Sequence, residues 1–494
     1  MDLLAAVHGC TFDDFLLAPQ LSVVDRRDPA TIDLSARLTA HLTLKRPIVS
    51  ANMDTVTRAE MAIVMAEEGG IGIIDRGFRP GDIEPQVREV QKVKRTQHGV
   101  IPDPLTVAPD QPLSDAQLLM QRSRVGTLVV VDADWKLLGI LTERDLQFVG
   151  DLTRPVSERM TPVAALVTHR GPASFDKAVR LMTEHKIKKL PLVDDEGRLT
   201  GLMTARDIRR QQRLPFATRD GQGRLRVGAA IGARGDYLDR AAELVKAGVD
   251  VLVIDIAHGH SMVMERALSE VTKRFPQMDV IAGNVATAEG ATFLADRGAG
   301  AVKIGIGPGG GCTTRLTTSF GVPQLQAVVD CAHAVGSRVP IIADGGIRRH
   351  GAIAMSLVCG ADTVMLGSAF AGTTEAPGDI VHKSVVVPES QKAVKVPFKV
   401  LRGMASIGAI KDRLDVEDAS AIDLQAIGAE GMEVSVPLRG SARPVLQEMI
   451  KHLCSSISYG GGASLADVRR RVTTDPGRYL IRLTESSRRE SYER

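Results

Sequence analysis

A chain of 494 residues, 44% of them hydrophobic, has material for two to four domains and for a large buried core. Its formal net charge is only +3, basic residues alternate with acids and aromatics make up 3%, which argues against nucleic-acid binding. No apolar run approaches the roughly 20 residues that cross a bilayer, and the start MDLLAAVHGCTFDDF has acids where a signal peptide has bases. A cytoplasmic protein with neither membrane nor nucleic acid as partner is expected.

In chain order, short apolar runs suited to buried strands appear at PIVSA (47–51) and GIGIID (70–75). A repeat then interrupts them. Residues 105–145 superpose without a gap on 167–207 at an offset of 62, setting TLVVVDADWKLLGILTERD over KLPLVDDEGRLTGLMTARD. Each copy predicts a helix, a strand, an Asp-containing turn, a second strand and a T-x-R-D helix start. Strand-like runs resume at 225–232, 249–257, 280–285, 301–307, 340–346 and 363–370, separated by helical periods ending in Gly. Eight buried strands alternating with helices predict a (β/α)8 barrel, an α/β fold with an α+β module inserted after its second strand; a doubly wound sheet is the rival. The predicted divisions are 1–95, 98–212 and 215–494.

In such a barrel the loops after strands seven and eight commonly hold phosphate. Here they read ADGGIRRHGA and LGSAF. Backbone N–H groups at Gly345, Gly346 and Gly367 and the Ser368 hydroxyl are candidates for phosphate, and Asp344 for ribose hydroxyls; the same glycines could serve only as tight turns. Strand six runs into GIGPGGGCTTR, which lacks the Gly-Lys-Ser/Thr of a P-loop. Its glycines can bend around a substrate or aim carbonyls at a cation, and Cys312 can attack an electrophilic carbon. With the others, at 10, 331, 359 and 454, it makes five scattered cysteines, an odd number, as reduced thiols would be. His258 and His260 stand two apart with no third ligand, so loop hydrogen bonding is expected of them rather than a metal.

The repeat resembles a CBS-domain pair over about residues 98–212. By that likeness Thr142, Asp145, Thr204 and Asp207 contact adenine or guanine nucleotides; capping of the following helices is the plainer role. The remainder, through TFDDFLLAP, PIVSANMDTVT, IDIAHGHS, GIGPGGGCTTR, ADGGIR, LRGMAS and AEGMEVSVPLRG, is similar to the IMP dehydrogenase/GMP reductase family. The resemblance implies a covalent adduct of Cys312 at carbon 2 of a purine nucleotide, GMP or IMP, with Thr314 and Glu430 in proton transfer. It places Asp344, Gly346, Gly367 and Ser368 on the ribose phosphate, Ser50 along the nucleotide and the Gly403 and Met404 backbone at the purine. Asp255 and Asn284, with Gly305 and Gly307, would meet NADPH or NADH. The carbonyls of Gly307, Gly309 and Cys312 match a monovalent-cation loop suited to K+. Tetramers, or octamers joined through CBS pairs, are implied.

The departures from the family bear on the reaction. Its dehydrogenases carry an Arg-Tyr pair on a flap, whereas between Met404 and Glu430 this chain has a single arginine, Arg413, followed by Leu414, and no tyrosine. That favours NADPH-dependent reduction of GMP to IMP and ammonia. Oxidation of IMP to XMP with NAD is the alternative, and a catalytically silent nucleotide sensor a third reading. A phosphate-loop serine is replaced by Gly310 and a tyrosine by Leu401, a loss for which Arg402 could compensate, and Asp75-Arg76 stands in place of a His-Lys pair.

Overall fold

The computed structural model describes residues 2–96, 100–101, 104–123, 125–171, 175–205, 214–386, 393–413 and 429–492. Eight short strands, each nearly all buried, form a closed parallel barrel: β1 (Ile48–Ser50), β2 (Ile71–Ile74), β3 (Gly228–Ile231), β4 (Val251–Asp255), β5 (Val280–Val285), β6 (Ala301–Ile304), β7 (Ile341–Asp344) and β8 (Thr363–Leu366). Continuous apolar runs suit strands that are covered on both faces, since interior side chains fill the barrel and helices cover its outside. The pairing of Leu366 with Ser50 closes the sheet between β8 and β1, which an open doubly wound sheet would leave as two edges.

Helices α1 (Ala59–Glu67), α2 (Glu84–Arg95), α3 (Tyr237–Lys246), α4 (Met262–Arg274), α5 (Ala288–Asp296), α6 (Gln324–Val335) and α7 (His350–Val358) follow the first seven strands in turn. After β8 the chain makes an excursion through an antiparallel sheet of Val381–Val386, Ala393–Arg402 and Glu433–Pro437. It then returns as α8 (Ala442–Tyr459). The Arg443 guanidinium pins the first turn of α8 to Glu67 and Glu68 at the end of α1.

The chain divides into two compact units, one of Met1–Lys94, Phe216–Thr218 and Leu225–Arg494 and the other of Arg95–Pro215 with Arg219–Arg224. The second unit repeats itself. Thr127–Val131 pairs with Leu137–Thr142, and Lys189–Val193 with Leu199–Thr204, each with an irregularity at the equivalent pair, Val130/Val131 and Leu192/Val193. The copies meet symmetrically: Leu137 N–H donates to the Gly197 carbonyl at 3.0 Å and Leu199 N–H to the Trp135 carbonyl at 2.9 Å. Val129, Leu137 and Ile140 share a small core with Val193, Leu199 and Leu202.

The T-x-R-D stretch of the first copy departs from expectation, because residues 143–148 form turns rather than a helix. The Asp145 carboxylate accepts from both the N–H and the hydroxyl of Thr142 at 2.7 Å. Such a local side-chain bond offers the backbone an alternative to helical hydrogen bonding. Thr204 ends its strand opposite Lys189, and Asp207 lies outside the described residues.

Candidate active site

A cavity of about 650 Å³ opens at the C-terminal ends of the barrel strands. At its floor lies Lys303, on β6 and only 2% exposed. Its ammonium contacts Asp255 Oδ2 at 2.8 Å and Asp344 Oδ2 at 2.7 Å, and donates to the Asn284 side-chain oxygen. Asn284 in turn donates to the Gly305 carbonyl at 2.7 Å and to Asp344 Oδ2 at 3.0 Å. Four neighbouring strands, β4 to β7, thus converge on one buried charge.

Local sequence explains how they fit. A β-carbon on Gly283 would lie 2.6 Å from Lys303 Cβ, so the glycine makes room for the lysine stem. The pairing register of β5 slips between Gly283 and Val285, and such an irregularity re-aims the residue it contains, here Asn284. Burial alone would raise the pKa of Asp255, but Lys303 and Arg76 outweigh it and hold the carboxyl down at about 2. Arg76 Nε stands 3.7 Å from Asp255 Oδ1 and is buried with no hydrogen-bond partner among the described residues.

The opening of the cavity brings two distant segments, at residues 403 and 430–432, to the loop of Cys312. Its sulfur lies 3.2 Å from Thr314 Oγ1, and that hydroxyl donates to Glu430 Oε2 at 2.7 Å. Thr313 N–H donates to the Glu430 carbonyl at 2.9 Å, Met432 N–H to the Gly311 carbonyl at 2.9 Å, and Gly403 N–H to the Met432 carbonyl at 3.1 Å. Backbones approach this closely only without side chains: a β-carbon on Gly403 would sit 2.3 Å from the Gly311 oxygen. The result is a thiol, a hydroxyl and a carboxylate in series, an arrangement able to pass a proton to or from a group bound at sulfur.

Gly345, Gly346, Gly367 and Ser368 line the cavity, together with Gly305, Gly307, Gly309, Met404 and Asn284. Arg348 lines the same region and is exposed, a cation that the motif ADGGIR contained and that the sequence reading passed over. One expectation needs correction. Ser50 is fully buried, accepts from the Thr57 hydroxyl at 2.8 Å and is absent from the lining, whereas Ala51, one residue on, is part of it; a one-residue step along a strand reverses the face. Arg402 is held by Asp54 at 2.8 Å and Asp412 at 2.6 Å. His258 and His260 meet edge to face, and His260 packs on Phe293. Arg413 ends the helix Ile407–Arg413, and Leu414 lies outside the described residues.

The IMP dehydrogenase/GMP reductase domain model matches residues 9–493. This chain belongs to that family. Its sequence is 43% identical over 488 residues to the inosine-5'-monophosphate dehydrogenase of Aquifex aeolicus, covering 98% of this chain and 95% of the relative. It is 41% identical over 492 residues to the Bacillus subtilis dehydrogenase, with the same coverage. Among solved structures, a GMP reductase variant from Trypanosoma brucei in complex with guanosine 5'-monophosphate superposes with a TM-score of 0.83 at 37% identity, covering 98% of this chain and 97% of that one. The same reductase in complex with guanosine 5'-triphosphate gives 0.74 at 35% identity, covering 96% and 98%. The family member is therefore an oxidoreductase acting on purine nucleotides with a nicotinamide cofactor. Among the described residues, no helix is long and apolar enough to cross a membrane.

Replacing Lys303 by Met should cost on the order of 3 kcal/mol of unfolding free energy in urea titrations, because Asp255 and Asp344 would be left facing each other without their cation. Asp75, just beyond β2, supplies a pH test. Burial pushes it up to about 6, since the partly exposed Arg58 guanidinium at 3.2 Å and the Gly77 N–H do not offset it fully. The folded state then holds this proton more tightly than the unfolded chain does, so the contribution of Asp75 to stability falls as pH rises from about 4 to about 6. Urea unfolding at pH 4 and pH 7 should show the wild type losing up to about 3 kcal/mol relative to Asp75→Asn across that window.

Proposed function

We propose that the protein is a GMP reductase, converting GMP to IMP and ammonia with NADPH or NADH. One combination carries this reading: the Cys312–Thr314–Glu430 series is complete, while the chain between Met404 and Glu430 has a single arginine and no tyrosine. Reduction needs a path for a proton to the leaving ammonia and no base to activate water. Cys312 sulfur bonds to carbon 2 of GMP, and the amino group leaves with its bonding pair, protonated through Thr314 from Glu430. Bound beside Asp255 and Asn284, NADPH or NADH would supply the hydride for carbon 2. The carbon–sulfur bond then breaks with its electron pair returning to Cys312, so that GMP, one hydride and two protons become IMP and ammonium.

The remaining roles follow the cavity. Gly345, Gly346, Gly367 and Ser368 hold the nucleotide phosphate beside the Arg348 cation, and Asp344 holds the ribose. Gly403 and Met404 offer backbone groups to the purine. Asp255 and Asn284, fixed by Lys303, face the nicotinamide riboside, with Gly305 and Gly307 along the same wall. Backbone carbonyls of Gly307, Gly309 and Cys312 are the oxygen donors a K+ ion would take; that of Gly309 already accepts the Cys312 N–H at 3.1 Å and keeps one lone pair. The inserted pair binds adenine or guanine nucleotides near Thr142, Asp145, Thr204 and Asp207, and the chain assembles as a tetramer or octamer.

A second reading, oxidation of IMP with NAD, is favoured by the names of the Aquifex and Bacillus relatives. The same Thr314–Glu430 pair could take a proton from water. Nicotinamide absorbance distinguishes the two. Purified protein should oxidise NADPH or NADH with GMP and release ammonia, while Cys312→Ala should still bind GMP and turn over at least about 1,000-fold more slowly; NAD reduction with IMP, without GMP reduction, would replace this proposal by the second reading. Excising residues 98–212 behind a Gly/Ser linker should preserve GMP reduction and abolish any response to ATP and GTP. A response retained by the excised enzyme would assign regulation to the barrel.

A further inference from the structure

On the outer surface of the barrel unit, away from the chemistry above, α8 meets α7. Glu448 and His452 stand four apart on α8 and so project from one face. His350 is the first residue of α7. The two imidazole rings stack at 4.7 Å between centroids and 27° between planes, and His452 Nε2 lies 3.7 Å from Glu448 Oε1. One ligand atom from each of the three falls within 4.8 Å of the others.

We propose that His350, Glu448 and His452 form a binding site for a divalent transition metal of the Zn2+ class. Two imidazoles and one carboxylate are a donor set for a borderline-soft ion rather than for Mg2+ or Ca2+, which take oxygen. In a tetrahedral site with bonds of about 2.0–2.1 Å, ligand atoms stand roughly 3.4 Å apart, so small side-chain rotations bring this trio into place. The Glu448 and His452 side chains are 62% and 55% exposed, which leaves the fourth position to water and gives the ion a route in. Arg439 is near enough to His350 to oppose a cation there, and the Glu448 carboxylate offsets it. The consequence is mechanical. Arg443 already ties the first turn of α8 to α1, and the metal would tie the next turns to α7, fastening the helix that completes the outer ring on both of its neighbours.

The test is titration of the full-length chain with Zn2+ or Co2+ alone, carrying Cys312→Ser so that the cavity thiol does not compete. One equivalent should bind with a Kd of about 10 μM or tighter, Co2+ should develop visible d–d bands, and Zn2+ should raise Tm. His350→Ala and His452→Ala should each weaken binding by about 100-fold or more and erase the rise in Tm. The double variant His258→Ala/His260→Ala should bind as the parent does. Circular dichroism and the metal-free Tm establish that each variant is folded, and His452→Asn, which keeps the side-chain bulk, replaces any that is not. Absence of saturable binding at 100 μM metal, or binding that survives loss of His350 and His452, would reduce the trio to a stacked imidazole pair beside a carboxylate.

Discussion

A lysine buried in the mouth of the barrel is the constraint on which the site depends. Lys303 sits among apolar strand residues, where an unpaired ammonium would carry a desolvation cost of several kcal/mol. Two carboxylates and an amide oxygen meet it, from β4, β5 and β7. Each of these groups would itself be poorly placed alone: Asp255 and Asp344 would repel each other across the same cavity without the cation. The arrangement therefore holds only as a set. Its consequence is that four strand ends keep a fixed spacing where they line the cavity.

A second constraint is steric and acts at the opening. Cys312 lies on a loop whose position is fixed by backbone hydrogen bonds to Glu430 and Met432, remote in sequence, and Met432 in turn accepts from Gly403. Glycines at 311 and 403 let these backbones approach to a distance that any side chain would forbid. Close backbone contact, rather than side-chain packing, sets the 3.2 Å and 2.7 Å steps from sulfur to hydroxyl to carboxylate. A flexible loop bearing the same residues would lose the preorganisation that proton transfer requires.

The inserted unit is built on a different logic. Its two copies each have a small core of their own, and they share a further one and a symmetric pair of backbone hydrogen bonds. The Thr142–Asp145 contact is satisfied within the first copy.

The eight barrel strands could be read from the sequence, because a strand buried on both faces is a short continuous apolar run and Gly-ended helical periods separate one run from the next. The position of Cys312 after strand six followed for the same reason. What the sequence left undecided is which ends meet. Lys303 was visible as the one charge in AVKIGIG, and a buried lysine demands partners, but local periodicity cannot name residues 48 positions before it and 41 after. Ser50 and Ala51 differ by one step, and only the register of β1 decides which faces the cavity. Arg402 could be seen as a cation near the site, yet its use depended on Asp54, almost 350 residues away. Spacing along the chain records the face of an element; the pairing of elements, and hence the partners of Lys303, is decided by closure of the barrel.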